Sequence, residues 1–294
     1  MIQLLPVAID LRCCFNSSED TFPLPPQLKE TYGPFGFPEP RDPRRPHTTS
    51  NFVMSLDGRA AFREIAGKSG GREISRSRED RWLMDFLRVH HDAQLMGAGT
   101  LRDEAGPHGL GWDYAIVDRE LVEYRKRLGL GPQKVLVLTG SGEINLDYRL
   151  FNSARVDPWI ITSRDGEKLL RPRLRAANKD QMKVVAVGEG TIVNLTAVAQ
   201  LLRQQHNIRT LLCEGGPHLY GEMLKEKLID EDFRTLSLQV VGPSSQIDLE
   251  RPTSYGNFSY TPETAPWFRL ISIHYALPHH AFFRLRYEGP RLFT

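Results

Sequence analysis

Leu211-Leu212-Cys213-Glu214-Gly215-Gly216-Pro217-His218-Leu219 joins an apolar run, a carboxylate and two glycines to a proline placed where the first turn of a helix tolerates one. Glycines let the backbone come close to a ligand. A helix start adds unpaired amide donors and a partial positive charge, which suit a pyrophosphate. The same residues also make a tight strand-to-helix turn with no ligand, so the pattern alone leaves both readings open. A second stretch, Leu95-Met96-Gly97-Ala98-Gly99-Thr100, precedes Arg102, Asp103 and Glu104. Open α/β sheets bind ligands at the carboxyl ends of strands, where small residues allow approach. The full Gly-x-Gly-x-x-Gly dinucleotide fingerprint is nevertheless missing. The third stretch runs from Asn51 to Arg59 and breaks at Ser55-Leu56-Asp57-Gly58. It would present a hydroxyl and a carboxylate, or Asp57-Gly58 simply turns the chain. Gly188-Glu189-Gly190-Thr191 reads as a plain turn.

Two charged residues stand out beside these loops. Arg88, in a helical stretch, is either a solvated surface arginine or a bidentate phosphate ligand. Glu214 could act as general acid, as an acceptor that orients a substrate, or as a salt-bridge partner. Burial without a partner would be costly, and an orienting role is favoured. His90-His91-Asp92 and His279-His280 invite a metal reading, but adjacent histidines on a helix point in different directions. No metal site is expected.

The elements that must position these residues follow from the apolar spacing. Strands are expected at 47–55, 93–96, 135–138, 159–162, 184–187 and 210–213. Helices are expected at 75–90 (Ser75 or Ser77 as N-cap), 118–128, 167–177, 195–206 and 216–226. The tail reads as strands at 235–241, 268–275 and 281–287. Alternation followed by strands alone predicts an α/β fold: a mostly parallel central sheet, helices on both faces and antiparallel C-terminal edge strands. All three loops then gather at one sheet edge, as a nucleotide cleft requires.

Residues 20–46 hold eight prolines, whose missing donors and fixed dihedrals disfavour helix and central strand. Residues 1–46 are therefore read as a Pro-rich arm that wraps the domain or a partner, or else as a disordered tail. Residues 47–294 are read as a single domain. With 38 basic and 36 acidic residues the chain lacks a nucleic-acid footprint. Three cysteines, two of them adjacent, suit a reducing cytosol. The start lacks a basic leader, and no apolar run spans a bilayer, so a soluble cytoplasmic protein with no membrane partner is expected.

Taken in order, RPHTTSNFVMSLDGRA, LRVHHDAQLMGAGTLRDE, VVAVGEG and LLCEGGPHLYGEMLKEKLIDE resemble the reductase domain of the riboflavin-biosynthesis family, the C-terminal domain of the bifunctional deaminase-reductase. The resemblance covers roughly residues 45–290 and implies a dihydrofolate-reductase-like fold. It implies NADPH as cofactor, with its pyrophosphate on Gly215, Gly216, Pro217, His218 and Leu219. Gly97, Thr100, Glu104 and Thr139 would add cofactor contacts, with Val53 and Ser55 at the nicotinamide. Glu214 and Asn51 would be catalytic, Arg88 and Asp57 would bind substrate, and the protein would form a homodimer. The reaction implied is NADPH-dependent reduction of a 5-amino-6-(5-phosphoribosylamino)uracil-type pyrimidine. Reduction of another pyrimidine or a pterin is the alternative, as is non-catalytic NADPH binding. The chain departs from the family in four places, one of them Asn51, which stands where many bacterial members have a lysine. No His-x-Glu or Pro-Cys-x-x-Cys occurs, so the family's zinc deaminase chemistry is not expected of it. Gly70-Gly71-Arg72-Glu73-Ile74 replaces a Ser-x-Trp, and no second phosphate-binding arginine follows Glu104. Arg102 and Arg164 are candidates for the cofactor's ribose phosphate.

Overall fold

The computed structural model describes residues 9–62, 71–106, 108–244, 251–256 and 258–290; Gly70 lies outside them. Among the described residues ten strands form one sheet: β1 (Arg12–Asn16), β2 (His47–Ser55), β3 (Ala93–Gly97), β4 (Gln133–Thr139), β5 (Val156–Thr162), β6 (Lys183–Ala186), β7 (Thr210–Cys213), β8 (Glu231–Ser237), β9 (Pro266–Ala276) and β10 (His280–Pro290). Their order is β1-β9-β10-β8-β2-β7-β3-β4-β5-β6. From β8 to β6 neighbours run parallel, whereas β10, β9 and β1 add on antiparallel. The expected mixed sheet is present.

Helices cover both faces. α7 (Leu195–His206) and α8 (Pro217–Lys225) pack on Leu95, Leu136, Ile161 and Cys213. On the other face lie α3 (Arg78–Val89) and α5 (Arg119–Arg127), which pack with Leu212, Phe233 and Phe282. That face also carries α4 (Ala98–Asp103) and α6 (Arg164–Ala176), around Val135, Val137 and Ile160. α3 starts because the Ser77 hydroxyl accepts from the Asp80 amide, with Glu79 and Asp80 in its first turn. It buries Trp82, Leu83, Phe86, Leu87 and Val89 against the sheet. Two short helices, α1 (Pro26–Tyr32) and α2 (Arg72–Ser75), complete the set.

The structure corrects two expectations. β8 begins at Glu231, four residues before the expected strand, and it ends at Ser237. Its charged start looks like loop but pairs internally: Arg284 with Glu231 at 2.6 Å and Arg234 with Asp232 at 2.7 Å. The proline-rich stretch does hold a helix, because Pro26 occupies N1, where a missing amide costs nothing. From residue 9 this stretch packs on the sheet and on α3. β1 pairs with β9, and Tyr32 stacks on Phe86 and on His274 with ring centroids 4.7 and 4.3 Å apart. Leu28, Tyr32 and Phe35 are buried, each contributing about 1.5–3 kcal/mol.

Candidate functional site

Glu214 extends the sheet one residue past β7, since its amide donates to the Leu95 carbonyl at 2.9 Å. Its side chain meets α3. Arg88 Nε and Nη2 donate to Glu214 Oε2 at 3.0 and 2.9 Å, and Arg88 Nη1 lies 3.5 Å from Asp85 Oδ1. From β2, Asn51 Nδ2 reaches Glu214 Oε1 at 3.4 Å. The Arg88 side chain is 1% exposed, so it is engaged with two carboxylates rather than open to solvent. Burial alone would lower its pKa, but Glu214 and then Asp85 outweigh that and raise it. Its Nη1 still lacks a hydrogen-bond partner.

Beside this cluster the carboxyl of Glu104, at the end of α4, accepts from the Tyr114 hydroxyl at 2.8 Å. Burial pushes the Glu104 pKa up against the opposing effect of that hydroxyl. Burial, with the Glu104 charge beside it, lifts the Tyr114 pKa well above its ordinary value. Tyr114 has φ +58°, uncommon for a bulky residue, and its neighbours hold it there. Asp113 accepts from Ser153 Oγ at 2.9 Å, Arg155 Nη2 donates to the Ile116 carbonyl at 2.9 Å, and Asp85 takes the amides of Val117 and Asp118. Sequence reasoning missed Tyr114. The available hint was two aromatic residues, Trp112 and Tyr114, closing a glycine-rich loop.

The two glycine loops are tied together, since the Gly216 amide donates to Thr100 Oγ1 at 3.2 Å. Gly216 caps α8 with Pro217 at N1, and no side chain caps the first amides. A Cβ on Gly215 would sit 2.6 Å from Leu219 Cδ2, so this backbone must be bare. An open helix start behind such a loop fits a pyrophosphate. His218 is exposed there, whereas the Leu219 side chain packs in the core. Gly97 caps α4 in extended conformation. Thr139 lies further along the strand ends, and its carbonyl accepts from Thr162 Oγ1 at 2.6 Å. A cavity of about 640 Å³ opens beside Ala98, lined by Arg102, Glu143, Tyr148 and Arg173. Arg164 is not part of that lining.

Ser55 and Asp57 form a separate group. Ser55 Oγ donates to Asp57 Oδ1 at 2.7 Å, and the Val241 and Gly242 amides donate to the same carboxylate at 2.9 and 2.8 Å. Burial opposes ionisation of Asp57, but these donors outweigh it and bring the carboxyl to about 2. Asp57 thus latches the end of β2 to residues 241–242. Val53 faces the same side of β2 as Asn51 and packs against Gly71. His90 and His91 are buried, with Nδ1 atoms bonded to the carbonyls of Phe86 and Leu87 at 2.7 and 2.6 Å.

A family model described as the RibD C-terminal domain matches residues 46–241. Two similar proteins, from Eremothecium gossypii and Archaeoglobus fulgidus, are each named 2,5-diamino-6-ribosylamino-4(3H)-pyrimidinone 5′-phosphate reductase. The first is 24% identical over 78% of this chain and 91% of its own. The second is 27% identical over 64% of this chain and 78% of its own. Among solved structures, a pyrimidine reductase-like protein from Corynebacterium diphtheriae superimposes with TM-score 0.64 at 19% identity, covering 88% of this chain and 98% of that one. Acinetobacter baumannii RibD gives TM-score 0.61 at 19% identity over 83% of this chain, which spans only 59% of the RibD chain. The folds agree, and the chain belongs to the RibD C-terminal domain family.

Proposed function

We propose that this protein is a cytoplasmic, NADPH-dependent reductase of a ribosylaminopyrimidine 5′-phosphate in riboflavin biosynthesis. The observation that carries the reading is the Thr100–Gly216 hydrogen bond, which joins the open start of α8 to the loop leading to Glu104, beside the Asn51–Glu214–Arg88 cluster. The names of the similar proteins support the substrate class. The amides of His218 and Leu219 take the cofactor's pyrophosphate, Gly97 and Thr139 border it, and Val53 and Ser55 flank the nicotinamide. The reduced nicotinamide, when bound, supplies hydride to the opened ribose carbon. Glu214 accepts from the substrate's ribose and Asn51 orients it, while the two Arg88 contacts hold the Glu214 carboxylate in place.

The arm over 1–46, the domain over 47–294 and a homodimer belong to the same reading. Phe15, Ile273 and Phe283 form a partly exposed apolar row across β1, β9 and β10, which supports a second copy docking there. The test is titration with NADPH followed by the ribosylaminopyrimidine phosphate, read as loss of nicotinamide absorbance. The reading expects saturable binding and stoichiometric oxidation. Binding without oxidation discards the substrate, and no binding discards the reductase.

A further inference from the structure

α2 is seated against the face of β2 that carries the site. A Cβ on Gly71 would lie 2.8 Å from Val53 Cγ1, and Gln239 Nε2 donates to the carbonyls of Glu73 and Ile74 at 3.1 and 2.6 Å. Val53 and Asn51 point to the same face of β2, so α2 sits on the sheet face that also carries Asn51. The loop ending in Tyr114 is anchored on Glu104. The two segments meet where Arg72 Cζ lies over the Trp112 ring, 5.9 Å from its centroid. Trp112 is 52% exposed.

The neighbouring arginines of this region are engaged. Arg76 pairs with Glu73, Arg81 with Asp85, and Arg88 with both Asp85 and Glu214, while Arg59 donates to the Arg251 carbonyl. Arg72 is exposed and carries no ion pair among the described residues. A guanidinium held over an indole by a cation–π contact spends none of its N–H donors on it, and that free fork matches a phosphate. Arg88 would have to break two ion pairs to do the same. We propose that Arg72 is the residue that recognises the substrate's phosphate, aimed by Trp112. The proposal rests on the reading of the substrate as a phosphorylated ribosylaminopyrimidine.

The test compares Arg72→Ala and Arg72→Lys on that compound and on its dephosphorylated form. Arg72→Ala should raise KM for the phosphorylated substrate about 10- to 100-fold, the value of one charge-assisted contact, with Arg72→Lys in between. Its kcat, its NADPH affinity and its KM for the dephosphorylated form should stay at wild-type values. An equal KM rise on both substrates, or none, overturns the proposal and leaves the reductase standing. If wild type reduces neither compound, Trp112 fluorescence decides. Saturable quenching by ribose 5-phosphate that is lost in Arg72→Ala and in Trp112→Phe keeps the phosphate site while the reductase reading falls. No quenching overturns both.

Discussion

Arg284 with Glu231 and Arg88 with Glu214 are both buried arginine–glutamate pairs, the first at the amino end of β8 and the second past the carboxyl end of β7. At Glu231 each of the three Arg284 guanidinium nitrogens has a partner. Arg284 gives Nε and Nη2 to Glu231, Nη1 to Ser18 and a further Nη2 bond to the Gly36 carbonyl, while Arg286 fills the other Glu231 oxygen. The rings of Phe35, Phe37 and Phe233 enclose the Arg284 guanidinium at 4.9–5.5 Å. Burial raises the Glu231 pKa, but Arg284, His47 and Arg286 outweigh it and bring it to about 2. At the other pair, among the described residues, Glu214 Oε1 has only the 3.4 Å contact from Asn51, and Arg88 Nη1, 3.5 Å from Asp85 Oδ1, makes no hydrogen bond. Equal chemistry thus serves two ends. The more fully bonded pair fastens the stretch from Ser18 to Gly36 to the sheet, and the one with spare capacity can accept a ligand.

The contrast is broken most forcefully at the fastening. Arg284→Ala leaves Glu231 buried with one oxygen stripped of its partner and only Arg286 still paired to it, and should cost about 3–5 kcal/mol, lowering Tm by on the order of 10 °C. Denaturant unfolding checks this, and a loss below about 1 kcal/mol would erase the distinction. Glu214→Gln keeps the shape of the site and should lower kcat about 100-fold, with Tm nearly unchanged. If its Tm falls as far as that of Arg284→Ala, Glu214 is a strut. Tyr114→Phe removes one hydrogen bond from Glu104 and should cost about 0.5–1.5 kcal/mol, read as about a 3- to 10-fold fall in kcat/KM. An effect on stability alone would move Tyr114 to the structural side of the comparison.

Most of the framework was legible in residue spacing. β2, α7 and β7 run over the residues that the spacing predicted, because their apolar periods and caps agree: Asn194 accepts from the Ala197 amide, and Asn207 closes α7 in the left-handed region. The three strand-end loops were legible for the same reason, since parallel strands must deliver their carboxyl ends to one edge. The start of β8 was not, because Glu231, Asp232 and Arg234 become strand only when Arg284, Arg286 and Ser50 meet them across the sheet. α1 was hidden by its prolines. The ion pairs of Arg88 are equally illegible, because sequence does not show that Asp85, three residues earlier, and Glu214, far along the chain, meet it. Tyr114 depends on a left-handed backbone set by partners in three other segments, around Asp85, Glu104 and Ser153–Arg155, and no local pattern encodes that.

The stretch matched by the family model ends at residue 241, before β9 and β10, and begins after β1. A chain cut to that stretch leaves β8 as an open border of the sheet, with the row of amides and carbonyls that β10 had covered turned to water. Phe233 then loses Phe35 and Arg284, and Glu231 loses both arginines. Such a border invites pairing with other chains, so the expressed unit must extend to the strands on both sides of the match.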